Sequence, residues 1–117
     1  MKIQRIAYPS PIEDSKPEND NTDVHVFLDD GRIYSFLFAT PSNIVWCMEN
    51  EDTDHFFSFP PPVLVNRLTS ENVERTLRTM LSSDGNKWLN VYGVLQTQGE
   101  PSRSNVRPLG PVDSANL

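Results

Sequence analysis

The segment VHVFLDDGRIYSFLF, residues 24–38, constrains the fold most strongly, because two runs of β-branched and aromatic residues flank Asp30-Gly31. Asp-Gly is a preferred centre of a two-residue type I′ hairpin loop, in which both residues have positive φ. Apolar residues on both faces of the second run predict a strand in the middle of a sheet, with helices on at least one face. The predicted cross-strand pairs are Asp29 with Arg32, Leu28 with Ile33, Phe27 with Tyr34, and His25 with Phe36.

A short strand is predicted before the hairpin, at residues 2–8, and a short helix is predicted after it. The helix begins at Thr40-Pro41, which has the composition of an N-cap followed by proline at the first helical position. The side chains that recur at helical spacing on its predicted buried side are Ile44, Val45, Cys47 and Met48. A strand over residues 43–48 is the alternative, because isoleucine, valine and tryptophan all favour strands.

The longest predicted helix covers residues 70–83, with Thr69 as its N-cap and Gly85 as its C-terminal stop. Its predicted buried stripe consists of Val73, Leu77, Met80 and Leu81. Residues 55–59 and 63–68 are two further strand candidates, separated by three prolines that confine this point to a bend or a sheet edge. Residues 87–95 add one more short packed element. Together these elements predict an α+β fold, in which two or three helices pack on a small mixed or antiparallel sheet of about four or five strands.

We expect one globular domain over residues 1–95 and a flexible or loosely draped tail over residues 96–117. The tail has no aromatic residue and no hydrophobic period, and it repeats glycine, proline and serine. The single cysteine, Cys47, excludes an intramolecular disulfide framework. Neither a secretory signal nor an apolar run long enough to cross a membrane is visible in the sequence. These features predict a cytoplasmic protein without a membrane partner.

The net charge of −6 restricts the kind of partner that this chain can bind. Nucleic acid is not expected as a direct partner, because phosphate binding needs clustered lysine and arginine. The densest negative segment is ENEDTDHFFSFPPP, residues 49–62. We call its four carboxylates, Glu49, Glu51, Asp52 and Asp54, the acidic cluster. Such a cluster followed directly by phenylalanines could serve a metal site, a catalytic pair, or a docking surface for a basic partner.

Catalytic and metal-binding interpretations are weaker than structural ones. Cys47 could act as a nucleophile with His25 or His55 as its base, but its place among apolar residues is typical of a small buried side chain. Asp52, Asp54 and His55 could bind a divalent ion, but the segment lacks the glycine of an EF-hand loop and the spacing of a zincin helix. We therefore expect no enzyme activity, no cofactor and no metal.

Three parts of the sequence resemble small immunity proteins of bacterial contact-dependent growth inhibition and related polymorphic toxin systems. They are VFLDDGRIYSFLFATPSNIVWCMENE, HFFSFPPPVLVNRLTSENVERTLRTML and KWLNVYG, and they cover most of residues 1–95. The shared features are an acidic single domain, the DDGR hairpin, the ATP helix start, the strand that leads into LTSENVE, and a final element that contains tryptophan. The resemblance implies a cytoplasmic antitoxin that binds the C-terminal domain of one cognate toxin, often a nuclease. It assigns a role to no individual residue.

The predicted partner-binding residues follow from charge and aromatic character. The acidic cluster and Phe56 come first, with Asp29 and Asp30 at the hairpin tip as further candidates. Trp46 faces away from the predicted buried side of its helix; we expect it to be buried in a second layer, and an exposed tryptophan there would be an interface anchor. Two other classes of function stay open: an acidic adaptor without a toxin partner, and a small ligand-binding domain or enzyme whose site combines residues distant in sequence.

Overall fold

The computed structural model, which describes residues 2–96 apart from the side chains of residues 83 and 84, contains a five-stranded sheet. The strands are β1 (Ile3–Ala7), β2 (Asn21–Leu28), β3 (Ile33–Ala39), β4 (Val63–Leu64) and β5 (Val94–Gln96). The helices are α1 (Pro41–Asn50), α2 (Ser70–Tyr92) and a short 3₁₀ turn (Ile12–Asp14). The predicted α+β class is confirmed, and so is the helical prediction for the segment after the hairpin.

Strand β3 occupies the centre of the sheet, as its apolar faces predict. Strands β1, β2 and β3 pair in that order, antiparallel throughout. Both remaining strands pair with the other edge of β3: β5 runs antiparallel to it at Ile33–Ser35, and β4 runs parallel to it at Phe38 and Ala39. Within residues 2–96 the sheet is therefore antiparallel except for this one two-residue pair.

The turn between β2 and β3 has a loop of three residues, Asp29 to Gly31. The Leu28 N–H donates to the Arg32 carbonyl at 2.9 Å, and the Gly31 N–H donates to the Leu28 carbonyl at 3.0 Å. Gly31 has a φ of 93°, whereas Asp30 does not have positive φ. A type I turn followed by a left-handed glycine needs positive φ at one residue only. A type I′ turn would place Asp30 in the left-handed region as well, and the observed turn avoids this.

The predicted register is therefore wrong by one residue, because a two-residue loop was assumed. The observed partners are Phe27 with Ile33, Val26 with Tyr34, His25 with Ser35, and Val24 with Phe36. They replace the predicted pairs Asp29 with Arg32, Leu28 with Ile33, Phe27 with Tyr34, and His25 with Phe36. A shift of one residue moves a side chain to the other face of the sheet. His25 consequently pairs with a serine on the face opposite the core.

Helix α2 begins at its predicted N-cap but does not end at Gly85. The Thr69 hydroxyl accepts a hydrogen bond from the Asn72 N–H at 3.2 Å, and the helix continues to Tyr92. A glycine in a helix interior costs about 1 kcal/mol relative to alanine. Leu89, beyond the glycine, is 1% exposed in the core, and Trp88 and Tyr92 pack against that core. This packing explains why the predicted stop at Gly85 is wrong.

One face of the sheet packs against α2 and forms the core. The core side chains of β2 and β3 are Val24, Val26, Leu28, Tyr34, Phe36 and Phe38, and those of α2 are Val73, Leu77, Met80 and Leu89. The predicted α2 stripe is confirmed, with Leu81 partly buried at its margin. Glu74 and Arg78 lie on the outer side of this stripe, 3.7 Å apart.

The segment between α1 and α2 contains less strand than predicted. Residues 55–59 form no strand, and of residues 63–68 only Val63–Leu64 pair with the sheet. Residues 51–62 thus form a twelve-residue connection without regular structure, a length that is uncommon unless a loop has a function. Of the predicted tail, residues 97–117 lie outside the described residues, while Gln96 pairs with Ile33 in β5. Between residues 2 and 96, no helix combines the length and the apolar character that a membrane crossing needs.

We expect Tyr8→Phe to leave the free energy of unfolding unchanged or to raise it by up to about 1 kcal/mol. The Tyr8 hydroxyl oxygen is buried and has no hydrogen-bond partner within residues 2–96. Burial, followed by the carboxylates of Glu74 and Glu13, raises the pKa of this phenol. Chemical denaturation measures the change. Tyr34→Phe is the matched control and should be less stable, because the Tyr34 hydroxyl accepts a hydrogen bond from Arg32 Nη1 at 3.2 Å. A clear loss of stability in Tyr8→Phe would contradict the expectation.

Candidate protein-binding surface

Helix α1 carries three members of the acidic cluster at its C-terminal end or directly after it, and its N-terminus is set by Thr40. The Thr40 hydroxyl accepts a hydrogen bond from the Asn43 N–H at 3.2 Å, and Pro41 occupies the first helical position. At the other end, the Thr53 N–H donates to the Met48 carbonyl at 2.9 Å, and the Asp52 N–H donates to the Glu49 carbonyl at 3.2 Å. These two bonds form a Schellman motif, in which Asp52 takes the left-handed position with a φ of 56°.

The acidic cluster contradicts the preferences of a helix terminus. The C-terminus of a helix has a partial negative charge, which favours lysine and arginine and disfavours carboxylates. The last turn of α1 contains no basic residue, and Glu49, Glu51 and Asp52 lie in it or directly after it. Asp52 also occupies a position that usually belongs to glycine. Local stability therefore does not account for these residues, and such departures are expected at functional sites.

All four carboxylates of the acidic cluster are exposed. The Asp54 side chain is fully exposed, and Asp54 Oδ1 lies 3.3 Å from Nδ1 of His55, which is itself exposed. No lysine or arginine within residues 2–96 forms an ion pair with the cluster. The cluster is thus a concentrated and uncompensated negative charge that a basic partner can approach directly.

Amide hydrogen bonds contribute to holding α1 to the domain, and Asn43 is its buried residue. The Asn21 side-chain amide donates to Asn43 Oδ1 at 2.7 Å, and the Asn43 amide donates to Asn19 Oδ1 at 3.1 Å. The predicted apolar side of α1 is therefore wrong in part. Val45 is exposed, whereas Ile44, Cys47 and Met48 are half-buried.

Trp46 is 49% exposed, so the expectation that it is buried is wrong. Two phenylalanines of the following loop are still more open: Phe57 is 83% exposed and Phe59 is 85% exposed. We call Trp46, Phe57 and Phe59 the exposed aromatic group. The predicted binding residue Phe56 is half-buried, and neither Phe57 nor Phe59 was among the predicted binding residues. No sequence signal distinguishes these phenylalanines, because the strand periodicity that would separate inner from outer positions is absent from this loop.

The ring of Phe57 stacks on the imidazole of His55, with centroids 5.7 Å apart and planes inclined by 10°. This stack adjoins Asp54 and so brings an apolar face next to a carboxylate. Large exposed aromatic residues beside charged ones are typical of protein-binding surfaces, where the rings form a desolvated centre and the charges form a rim. The acidic cluster and the exposed aromatic group, which are adjacent in sequence over residues 46–59, thus have the composition of an interface.

The predicted hairpin-tip residues Asp29 and Asp30 are less available to a basic partner than the acidic cluster. They lie at the end of β2 and β3 opposite to the start of α1. Asp29 Oδ1 accepts a hydrogen bond from the Lys2 N–H at 3.2 Å, and Asp30 Oδ2 accepts one from Arg32 Nε at 2.8 Å. Hydrogen bonds from the Arg32 backbone and guanidinium lower the pKa of Asp30. An existing arginine partner thus already engages Asp30.

The residues considered for catalysis have other contacts. Cys47 is half-buried, and its Sγ lies 3.8 Å from Asn43 Oδ1. His25 Nδ1 lies 2.7 Å from the Ser35 hydroxyl, while His55 stacks on Phe57 in the loop. Within residues 2–96 no three His, Cys, Asp or Glu side chains are grouped so that they could hold a metal ion.

Known proteins provide no further guide. Comparison with protein-family models, curated proteins and solved structures finds no match to this chain. The surface chemistry of the described residues is therefore the basis for inferring what the chain binds.

Proposed function

We propose that this chain is an immunity protein, which binds the C-terminal domain of a cognate bacterial toxin in the cytoplasm and neutralises it by stoichiometric binding. The observation that carries the proposal is the combination of the uncompensated acidic cluster with the exposed aromatic group. The resemblance of residues 1–95 to immunity proteins of contact-dependent growth inhibition supports the same role. The chain itself catalyses no reaction and needs no cofactor or metal in this role.

The physical basis is the charge of the proposed target. Toxin domains of these systems are often nucleases, and a nuclease is basic where it holds the phosphate backbone. The acidic cluster presents carboxylates to that basic surface in place of phosphates. Opposite charges accelerate the encounter, and a few well-buried side chains, often aromatic ones, account for most of the binding energy of a complex.

The exposed aromatic group would stabilise the complex once it has formed. Burial of a phenylalanine side chain stabilises a complex by about 1.5–3 kcal/mol relative to leaving it in water. Phe57 and Phe59 are almost completely exposed in the free chain, so nearly all of this stabilisation is still available for binding. Exclusion of water around the rings also strengthens nearby ion pairs between the partner and the acidic cluster.

The test is reconstitution with the toxin domain encoded by the neighbouring reading frame. We expect the two proteins to co-purify at a 1:1 ratio and the toxin activity to disappear when one equivalent of this chain is added. Light scattering after size exclusion measures the stoichiometry, and a nuclease assay measures the inhibition. A complex that leaves the toxin active would favour the adaptor alternative. The absence of any complex would refute the proposal.

A further inference from the structure

A second candidate surface lies on another part of the molecule, between strand β1 and helix α2. It is a groove of about 570 Å³, lined by residues 2–6 of the β1 segment and by Glu74, Arg78, Leu81 and Ser82 of α2. We call it the β1–α2 groove. None of its lining residues belongs to the acidic cluster or to the exposed aromatic group. The proposed toxin-binding role leaves this groove unexplained.

One wall of the groove is the edge of the sheet. Within residues 2–96, β1 pairs with β2 on one side and with no strand on the other. The backbone N–H and C=O groups of an edge strand can pair with a further strand from another chain. Helix α2 borders the groove, so a segment that pairs with β1 would also contact a helix with one face of its side chains.

Part of the groove is apolar. Ile3, Ile6 and Leu81 line it, and all three are only partly buried against the core. Side chains of an added strand alternate between two faces. Every second residue of a bound segment could therefore cover these three side chains and remove apolar surface from water.

The groove is basic although the chain is acidic. Of the eight lysines and arginines between residues 2 and 96, three (Lys2, Arg5 and Arg78) line it, against one carboxylate, Glu74. Arg78 pairs with Glu74 on α2 at 3.7 Å, so the positive charges of the groove without a carboxylate partner between residues 2 and 96 are those of Lys2 and Arg5. The Arg5 guanidinium stacks on the Phe27 ring at 3.9 Å, which fixes one positive charge next to the edge of β1 on the sheet face opposite the core.

We propose that the β1–α2 groove binds an extended acidic segment of a partner protein, which pairs with β1 as a sixth strand. The apolar side chains at alternate positions of the segment cover Ile3, Ile6 and Leu81 on the α2 side. Its carboxylates project from the opposite sheet face, where they face Lys2 and Arg5. A second copy of this chain is the less suitable occupant, because it would bring an identical row of positive charges to the same edge. This proposal does not depend on the proposed toxin partner. The toxin surface that meets the acidic cluster is expected to be basic, whereas the segment in the β1–α2 groove is acidic.

The experiment uses the ¹⁵N-labelled full chain and two octapeptides with blocked termini, one of alternating Glu and Val and one of alternating Lys and Val. We expect the Glu peptide to shift the amide resonances of residues 2–6 and 74–82 and to slow hydrogen exchange in β1. The Lys peptide should do neither. Because removing one charge partner of a contact commonly weakens association, Arg5→Glu and Lys2→Glu should each raise the dissociation constant of the Glu peptide by about tenfold.

Arg75→Glu is the matched control, because it reverses one exposed positive charge outside the groove; Arg75 Nη1 donates to Asn72 Oδ1 at 2.9 Å. It should leave the dissociation constant within about twofold of the parent value. Lys2 precedes β1, so Lys2→Glu tests the charge even if Arg5→Glu disturbs the strand. Equal binding of both peptides, shifts confined to other residues, or no binding at millimolar peptide would overturn the proposal. If the chain self-associated through β1, the occupant of the groove would be a second copy of the chain and not a segment of another protein.

Discussion

The combined substitutions Glu51→Lys, Asp52→Asn and Asp54→Lys are expected to weaken binding of the cognate toxin domain by on the order of 2–5 kcal/mol, because the basic groups that the carboxylates meet would become unpaired or repelled. The association rate should fall more at low salt than at high salt, because opposite charges no longer accelerate the encounter. Isothermal titration and stopped-flow mixing measure the two effects. In cells, the variant should protect poorly against the toxin at limiting expression.

The structure determines how this variant is built and what its stability should be. Asparagine replaces Asp52 because it tolerates the left-handed backbone that this position requires, with its φ of 56°, better than lysine does. Removing negative charge from the C-terminal end of α1 should raise the free energy of unfolding slightly, by about 0.3–1 kcal/mol, through the helix dipole. If the variant is more stable than the parent but binds the toxin domain more weakly, the acidic cluster is a partner-binding surface. A solvated turn would show no loss of binding.

The matched control changes the same amount of charge elsewhere, through Glu13→Lys, Asp14→Asn and Asp23→Lys. All three residues are exposed and lie outside residues 46–59. The control should slow association slightly, since it also reduces the net negative charge, but it should leave the dissociation rate unchanged. If both variants bound and protected as well as the parent, the acidic cluster would be only a solvated turn.

Gly93→Ala is expected to lower the free energy of unfolding by about 1–3 kcal/mol, because an added methyl group overpacks a filled site. Gly93 lies between α2 and β5 in an extended conformation, with a φ of −104°, so its backbone does not need glycine. The packing around Gly93 does require glycine. A Cβ atom there would lie 2.9 Å from the Leu89 carbonyl oxygen and 2.9 Å from Cδ2 of Tyr34. The carbonyl belongs to the backbone of α2 and cannot move without disturbing the helix end.

Thermal and chemical denaturation measure this loss. Asn90→Ala is the matched control, since Asn90 is an exposed residue near the end of the same helix, where alanine has the higher helix propensity. The control should be as stable as the parent or slightly more stable. A Gly93→Ala variant of unchanged stability would mean that α2 and β5 can separate from Tyr34 and Phe36 without cost.

The sequence predicted most of the fold because local and global preferences agree at the decisive positions. Thr40 and Thr69 act as N-caps, the α2 stripe faces the sheet, and β3 is central. The errors arise where two local solutions compete or where distant packing decides. Asp-Gly fits both a two-residue and a three-residue loop, and apolar residues beyond Gly85 keep α2 helical past its apparent stop.

The candidate surface was predictable in its charge but not in its exposure. Four carboxylates in six positions are visible in any reading of the sequence. The exposure of Trp46 depends on how α1 is attached, and that attachment includes amide contacts between Asn43 and two asparagines more than twenty positions earlier. No periodicity signals such contacts. The exposure of Phe57 and Phe59 was missed for a related reason, since their loop has no regular structure.

The attachment of α1 through Asn43 also has a consequence for how the protein can evolve. Most side chains of α1 are exposed or half-buried, and substitutions at exposed positions usually change the free energy of unfolding by no more than about 0.5 kcal/mol. The helix and the loop after it can therefore accumulate changes in charge and shape while the sheet and α2 keep the domain folded. Specificity for a new partner could arise on this surface through successive substitutions, each of which the unchanged core tolerates.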